Sequence, residues 1–326
     1  RKKWLRKSCP WLGDKYIDYL SNYRYDKDEV KISLNNNELE LEIEGTWEHS
    51  ILWEVPLMAL ISELYFIHCD SNWDWNENDQ ISKIEQKAVK LKNSRYSDFG
   101  TRRRRSFKTQ DFVVKHLKNY TNNNNVGFFG TSNVYLAMRY DVRPIGTMAH
   151  EWIMGVSAIE GLFRANYHAL RIWSECYNGN LGIALTDTFG TKAFFKDFDG
   201  YQARLFDGVR HDSGSPYDFA DRVIDHYKSL GINPLTKSIV FSDGLNADLA
   251  SKIADYCDQK IMCSFGIGTN FTNDFDGSEA LNMVIKLIKC NGFDVVKLSD
   301  DLRKSIGEKD ALRVAKWLFF GQPLDK

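Results

Sequence analysis

The chain has 326 residues, with 43 Lys and Arg against 44 Asp and Glu and a formal net charge of −1, so no bulk field selects nucleic acid or a membrane surface. Its 43% hydrophobic and 27% charged residues exclude a disordered or fibrous chain and suit one large domain or two ordinary ones with a real core. Six scattered cysteines without C-x-x-C or zinc-type spacing read as reduced thiols, which points to a cytoplasmic protein without a signal peptide. The chain opens at Arg1-Lys2-Lys3-Trp4 without Met, and we expect a segment ahead of it in the full protein.

In chain order, the first pattern is alternation. Val30, Ile32 and Leu34, then Leu39, Leu41 and Ile43, flank Asn35-Asn36-Asn37 and predict a β-hairpin. The longest apolar run, 51–68, is broken by Glu54 and Glu63 and reads as too short and too charged to span a bilayer. Within it, Leu57, Leu60, Ile61 and Leu64 have helical spacing. Arg102 to Arg105, after Phe99-Gly100-Thr101, form the one dense basic patch. A solvated face, an anion site needing only two or three of these arginines, and a nucleic-acid surface are all open readings of it. Residues 122–125 are four asparagines and read as a loop.

After residue 126 short apolar runs recur at 126–129, 181–185, 205–209, 238–241 and 261–265. Amphipathic segments separate the last three. One of them, 216–230, has Pro216 in its first turn and Gly231 as its stop. This is the grammar of parallel βαβ units, met equally by a (β/α) barrel or an open doubly wound sheet. Both folds place sites beyond the C-terminal ends of their strands.

The five tails there are GTSN (130–133), TDT (186–188), RHDSG (210–214), SDG (242–244) and GIGT (266–269). Any one of them could be turn chemistry alone, since Asp, Ser and Gly cap helices and tolerate tight angles. Five in succession, including an Arg and two Asp, favour a polar site. Small residues in SDG and GIGT would let backbone N–H groups approach an anion, and without a Walker sequence or dinucleotide fingerprint a phosphate monoester is the better ligand. Arg210 and Asp212, two apart on a strand end, face the same way. In GTMAHEW, residues 146–152, His150 opens an apolar run, as either a packed ring or a reactive one.

Together GTSNVYLA, PIGTMAHEW, LTDTFGTKAFF, GVRHDSGSP, SDGLN and SFGIGTNFTNDF closely resemble the nicotinate phosphoribosyltransferases, a type II phosphoribosyltransferase family. The likeness runs from CPWL at 9–12, through EVPLMALISELYF, to KLSD near residue 300. It implies an irregular (β/α) barrel with an accompanying α/β domain built from the N- and C-terminal parts. The corresponding division is 1–125, an N-terminal α/β domain with its start missing, 126–280, the barrel, and 281–326, a segment returning to the first domain. The implied reaction takes nicotinate, phosphoribosyl pyrophosphate and ATP to nicotinate mononucleotide, pyrophosphate, ADP and phosphate, in NAD biosynthesis. Partners would be those substrates and a second copy of the chain in a head-to-tail homodimer with shared active sites, with no nucleic acid and no membrane. In the family an N-terminal aromatic residue, ahead of Arg1 here, completes the neighbouring pocket.

Residue by residue, the resemblance makes His150 the phosphorylated histidine and Asp187 its carboxylate partner, in preference to Glu151. It assigns Thr147 and Arg210 to nicotinate, and places Ser132 where nicotinamide-using relatives carry an aspartate. Asp212 falls on the ribose, Gly244, Gly268 and Thr269 on the 5′-phosphate, and Arg102 on the diphosphate. Mg²⁺ would ride on the diphosphate and not in a protein cage, and ATP is the co-substrate. Two alternatives stand beside this: nicotinamide as the base on the same fold, and an RNA-binding protein using Arg102 to Arg105.

Overall fold

Seven short strands run parallel in one sheet, with the spatial order β5-β4-β3-β9-β8-β7-β6. They are β3 (Arg95–Asp98), β4 (Gly127–Thr131), β5 (Arg143–Pro144), β6 (Ile183–Leu185), β7 (Gly208–His211), β8 (Ser238–Phe241) and β9 (Met262–Ile267). The computed structural model describes residues 1–36, 38–120, 127–301 and 304–323; the asparagine loop at 122–125 lies outside them. No pairing closes β5 onto β6 among the described residues, so the sheet is a curled half-barrel within a mixed α/β protein.

Strand burial explains the continuous apolar runs. Leu185, Val209, Ile239, Phe241, Phe265 and Ile267 are all buried, as expected of a parallel sheet covered on both faces. Phe241 and Phe265 stack on neighbouring strands with ring centroids 5.8 Å apart. The covering helix Pro216–Ser229 starts as its sequence prescribes: Pro216 occupies the first turn and the Ser215 hydroxyl accepts from Asp218 N at 3.3 Å. Two strands carried no readable signal. β3 is polar at three of its four positions, and β5 is two residues long and ends in proline, which only an edge strand tolerates. The run expected at 205–209 shifts to Gly208–His211, because Asp199 caps the helix Gly200–Leu205 through Tyr201 N and Gln202 N and holds Leu205 inside it.

The first part of the chain contributes a hairpin, β1 (Val30–Asn35) on β2 (Glu38–Ile43), and the helix Glu54–His68. The stretch Trp47–His68 departs from the sequence reading: its 22 residues, with mean hydropathy 1.5, are long and apolar enough to cross a membrane. Here its polar groups fasten it to the sheet unit. Glu54 accepts from Arg102 at 2.6 Å, Glu63 from the Phe107 amide at 3.0 Å, and buried Ser62 donates to Arg104 O at 2.7 Å. The sheet draws on both sides of residue 125, since β3 lies between β4 and β9. The later segment 295–300 packs on the loops that follow β6 and β7.

Gly208 is required by the register. It faces Ser238 across the β7–β8 pair, and a Cβ there would lie 2.0 Å from the Ser238 carbonyl oxygen, a backbone atom. Gly208→Ala should therefore cost about 1–3 kcal/mol of stability by overpacking. Urea unfolding checks this, and an unchanged midpoint would show that the strand pair can open without loss.

Candidate active site

The C-terminal strand ends bring four of the expected residues into direct contact. The Arg210 guanidinium, on β7, donates through Nη2 to Asp212 Oδ1 at 2.6 Å, through Nη1 to Thr147 Oγ1 at 2.8 Å, and through Nε to Ser242 Oγ at 2.7 Å. Asp212 Oδ2 accepts from His150 Nε2 at 2.9 Å. His150 is the first residue of the helix His150–Glu160 and is buried. The ring sits in a polar shell and not in hydrocarbon. Its Nδ1 lies 3.0 Å from Thr188 Oγ1, and Asp187 Oδ1 stands 3.7 Å from Nε2. Two carboxylates face Nε2, and a carboxylate can only accept, so Nε2 carries the proton and the lone pair is on Nδ1.

The hydrogen-bonded carboxylate is thus that of Asp212, with Asp187 a step further off. Asp187 is fixed from behind: Ser213 Oγ donates to its Oδ2 at 2.6 Å, Ser299 Oγ at 3.2 Å, and the buried Lys297 ammonium stands 3.8 Å away. Its Oδ1 has no hydrogen-bond partner among the described residues. Glu151 turns away and accepts from Trp47 Nε1 at 2.9 Å.

Charge is balanced in pairs. Burial would raise the Asp212 carboxyl, but the Arg210 charge and the His150 hydrogen bond outweigh it and hold the carboxyl well below its usual range. Burial pushes the His150 imidazole down, against the pull of Asp212 and Asp187, and Lys297 pushes the same way as burial. A position at a helix N-terminus also disfavours the cation. The result is a neutral imidazole beside an ionised carboxylate.

A segment that sequence reading left without a role completes this shell. Leu298 N donates to Thr188 O at 2.8 Å, Asp300 accepts from the Thr191 amide at 2.8 Å, and Ser299 adopts φ +60° while buried. Lys297, Ser299 and Asp300 thereby clamp the loops after β6 and β7 from more than 80 residues away in sequence. The KLSD motif was the only signal. Thr188 and Ser213 were visible inside the tails but indistinguishable from turn residues.

The glycine loops line a separate part of the site, a cavity of about 410 Å³ walled by Gly244, Gly268, Thr269, Asn246, Asn273 and Arg103, among others. Ser242 also lines it and connects it to the charged cluster, accepting from Arg210 and donating to Asp212 Oδ1 at 3.1 Å. Gly244 takes φ +57°, a turn that a side chain would strain. Ser132 follows β4, and its hydroxyl lies 2.9 Å from that of Thr101, after β3. Arg102 is bound to Glu54 at 2.6 Å and does not line the cavity.

The four arginines do not form a surface patch. Arg104 donates to Gln110 Oε1 at 3.1 Å, and Arg105 is buried over the ring of Phe66 at 3.6 Å with Trp73 and Phe275 around it. That removes the basic stripe an RNA-binding reading requires. A resident metal is also poorly served. His150, Asp187 and Asp212 offer ligand atoms within 4.8 Å of one another, but Arg210 and Lys297 already compensate the two carboxylates.

A parallel half-barrel whose strand ends hold a partly buried Arg–Asp–His line beside a glycine-walled cavity defines an α/β enzyme of the phosphoribosyltransferase class. The Nicotinate phosphoribosyltransferase (NAPRTase) family model matches residues 94–320, and that of its N-terminal domain matches residues 1–62. The chain is 48% identical to a nicotinate phosphoribosyltransferase of Methanosarcina mazei, covering 99% of this chain and 84% of the relative. It is 50% identical to that of Methanococcoides burtonii, over 99% and 83%. The crystal structure of the Porphyromonas gingivalis nicotinate phosphoribosyltransferase superposes with TM-score 0.91 at 39% identity, over 97% of this chain and 82% of the other. The chain belongs to the nicotinate phosphoribosyltransferase family.

A histidine whose folded pKa is depressed stabilises the fold fully above its ordinary value of 6.5, and that contribution is lost as pH falls below it. NMR titration should therefore show the His150 ring more than half neutral at pH 6.5. Asp212→Asn should move its titration to lower pH and Lys297→Met to higher pH, because the carboxylate favours the cation and the ammonium opposes it. Shifts of the opposite sign would refute this charge arrangement.

Proposed function

We propose that this protein joins nicotinate to phosphoribosyl pyrophosphate, releasing pyrophosphate and forming nicotinate mononucleotide in NAD biosynthesis, with ATP hydrolysis as the driving reaction. Near-full-length family membership supports the substrates. The observation that carries the reading is the Arg210 guanidinium, which reaches Thr147, Asp212 and Ser242 at once beside the glycine-walled cavity.

Each residue then has a task that its geometry suits. Arg210 counters the nicotinate carboxylate, with Thr147 as a second contact. Ser132 leaves that end of the pocket without the negative charge that would repel the acid. The Asp212 carboxylate, held ionised, accepts from ribose hydroxyls and stabilises positive charge developing at C1 as the bond to pyrophosphate breaks. Gly244, Gly268 and Thr269 offer backbone N–H groups to the 5′-phosphate, and Asn246, the N-cap of the helix Ala247–Cys257, adds that helix's positive end. Arg102, displaced from Glu54, serves the diphosphate. Mg²⁺ enters on the diphosphate. When bound it would neutralise leaving-group charge.

In the coupled step the lone pair of His150 forms an N–P bond to the γ-phosphorus of ATP while the bond to the bridging oxygen breaks and ADP leaves. Thr188 must give way for this at Nδ1, and the carboxylates on the Nε2 side hold the proton there. Water later takes the phosphoryl group. A homodimer fits the exposed aliphatic face of the β1–β2 hairpin, where Ile32, Leu34 and Leu39 face solvent. A cytoplasmic location fits the six free cysteines.

Purified protein should release pyrophosphate from phosphoribosyl pyrophosphate with nicotinate, faster with ATP, and prefer nicotinate to nicotinamide in kcat/KM. A preference for the amide would refute the role of Ser132. Arg210→Ala should lose about 2–5 kcal/mol in transition-state binding, the scale for truncating a desolvated charge pair. An unaltered kcat/KM for nicotinate would put Arg210 outside the pocket. With γ-labelled ATP the protein should acquire an acid-labile, base-stable label that His150→Ala abolishes; persistent labelling would remove His150 from this step.

A further inference from the structure

Of four consecutive arginines, three are committed: Arg102 to Glu54, Arg104 to Gln110 and Arg105 to the aromatic box of Phe66, Trp73 and Phe275. Arg103 is not. Its side chain makes no hydrogen bond or ion pair among the described residues, yet it is half-buried and lines the glycine-walled cavity. Burial pushes its guanidinium down, and the like charge of Arg102 adds to this. The nearest opposite charge, Asp243, is already held by Lys304 at 2.8 Å. The backbone at Arg103 is anchored all the same: its carbonyl accepts from Asn273 Nδ2 at 2.8 Å, and Arg105 N donates to Thr272 O at 2.9 Å.

The other walls leave this cation without an internal mate. Of the two acidic residues there, Asp274 is bound by Lys87 at 2.5 Å and Glu279 is exposed at the rim. A fixed backbone and an unpaired fork, facing glycine, asparagine and threonine walls with the one uncommitted carboxylate out at the rim, describe a receptor for a compact anion.

Resting on the reading of this cavity as the phosphate site, we propose that Arg103 binds the phosphate monoester of the phosphoribosyl group, so that two adjacent arginines divide the phosphates of one substrate. Arg103 holds the end that stays with the ribose and Arg102 the end that leaves. The three-residue 3-10 turn Thr101–Arg103 sends the two side chains to different neighbours, which makes that division geometrically natural.

Calorimetric binding of ribose 5-phosphate and, separately, of inorganic pyrophosphate with Mg²⁺ tests this in wild type, Arg103→Met and Arg103→Lys. Arg103→Met should weaken ribose 5-phosphate about 10- to 100-fold, the scale of a charge-assisted hydrogen bond, and leave pyrophosphate unchanged. Arg103→Lys should recover part of the loss. Without ligand, the Arg103→Met unfolding midpoint should equal or exceed that of wild type, because an uncompensated, partly desolvated charge has gone. Unchanged ribose 5-phosphate affinity, an equal loss for both ligands, or a lowered midpoint would overturn the role of Arg103. Failure of wild type to bind ribose 5-phosphate would instead overturn the cavity assignment beneath it.

Discussion

Asp212 keeps its charge inside the protein because Arg210 is held against it, 2.6 Å away. Removing the guanidinium would leave a largely enclosed carboxylate with only an imidazole and the Ser242 hydroxyl for company, a situation that costs stability or forces protonation. The same guanidinium also spans Thr147, from the loop after β5, and Ser242, from the loop after β8. One planar group thus ties loops at opposite parts of the curled sheet, and the imidazole of His150 takes its orientation from the carboxylate that the group holds. The site is a charge-balanced unit in which each member sets the ionisation of the next.

That unit depends on backbone geometry far from any charge. Parallel pairing of β7 with β6 and β8 puts the tails of all three at one rim, and Gly208 lets the β7–β8 pair approach closely. The late segment 297–300 then covers two of those tails, with Lys297 and Ser299 behind Asp187. A wall built from distant sequence holds the carboxylates in place without blocking the cavity reached through Ser242.

Much of the sheet was legible in the chain. The run 238–241 became β8 residue for residue, since a short apolar run bounded by turn residues has few other uses in a parallel fold. β3 and β5 were hidden because polar or very short strands lack a hydrophobic signal, and the Asp199 cap moved the start of β7. The spacing of Arg210 and Asp212 gave their common direction, because strand periodicity is local. What joins them to His150 is not local. A histidine opening an apolar run is ambiguous until Asp212, 62 positions away, is placed beside it, and the family likeness had pointed to Asp187 instead. The arginine run stayed ambiguous for a related reason: four identical residues say nothing about which way each one points.

The most direct measurement is a crystal structure of the protein with nicotinate mononucleotide. The account expects the nucleotide phosphate against Gly244, Gly268 and Thr269 and the pyridine carboxylate against Arg210, with the Asp212 carboxylate at the ribose. A nucleotide lodged on another face, with the Arg210–Asp212–His150 line untouched, would contradict it.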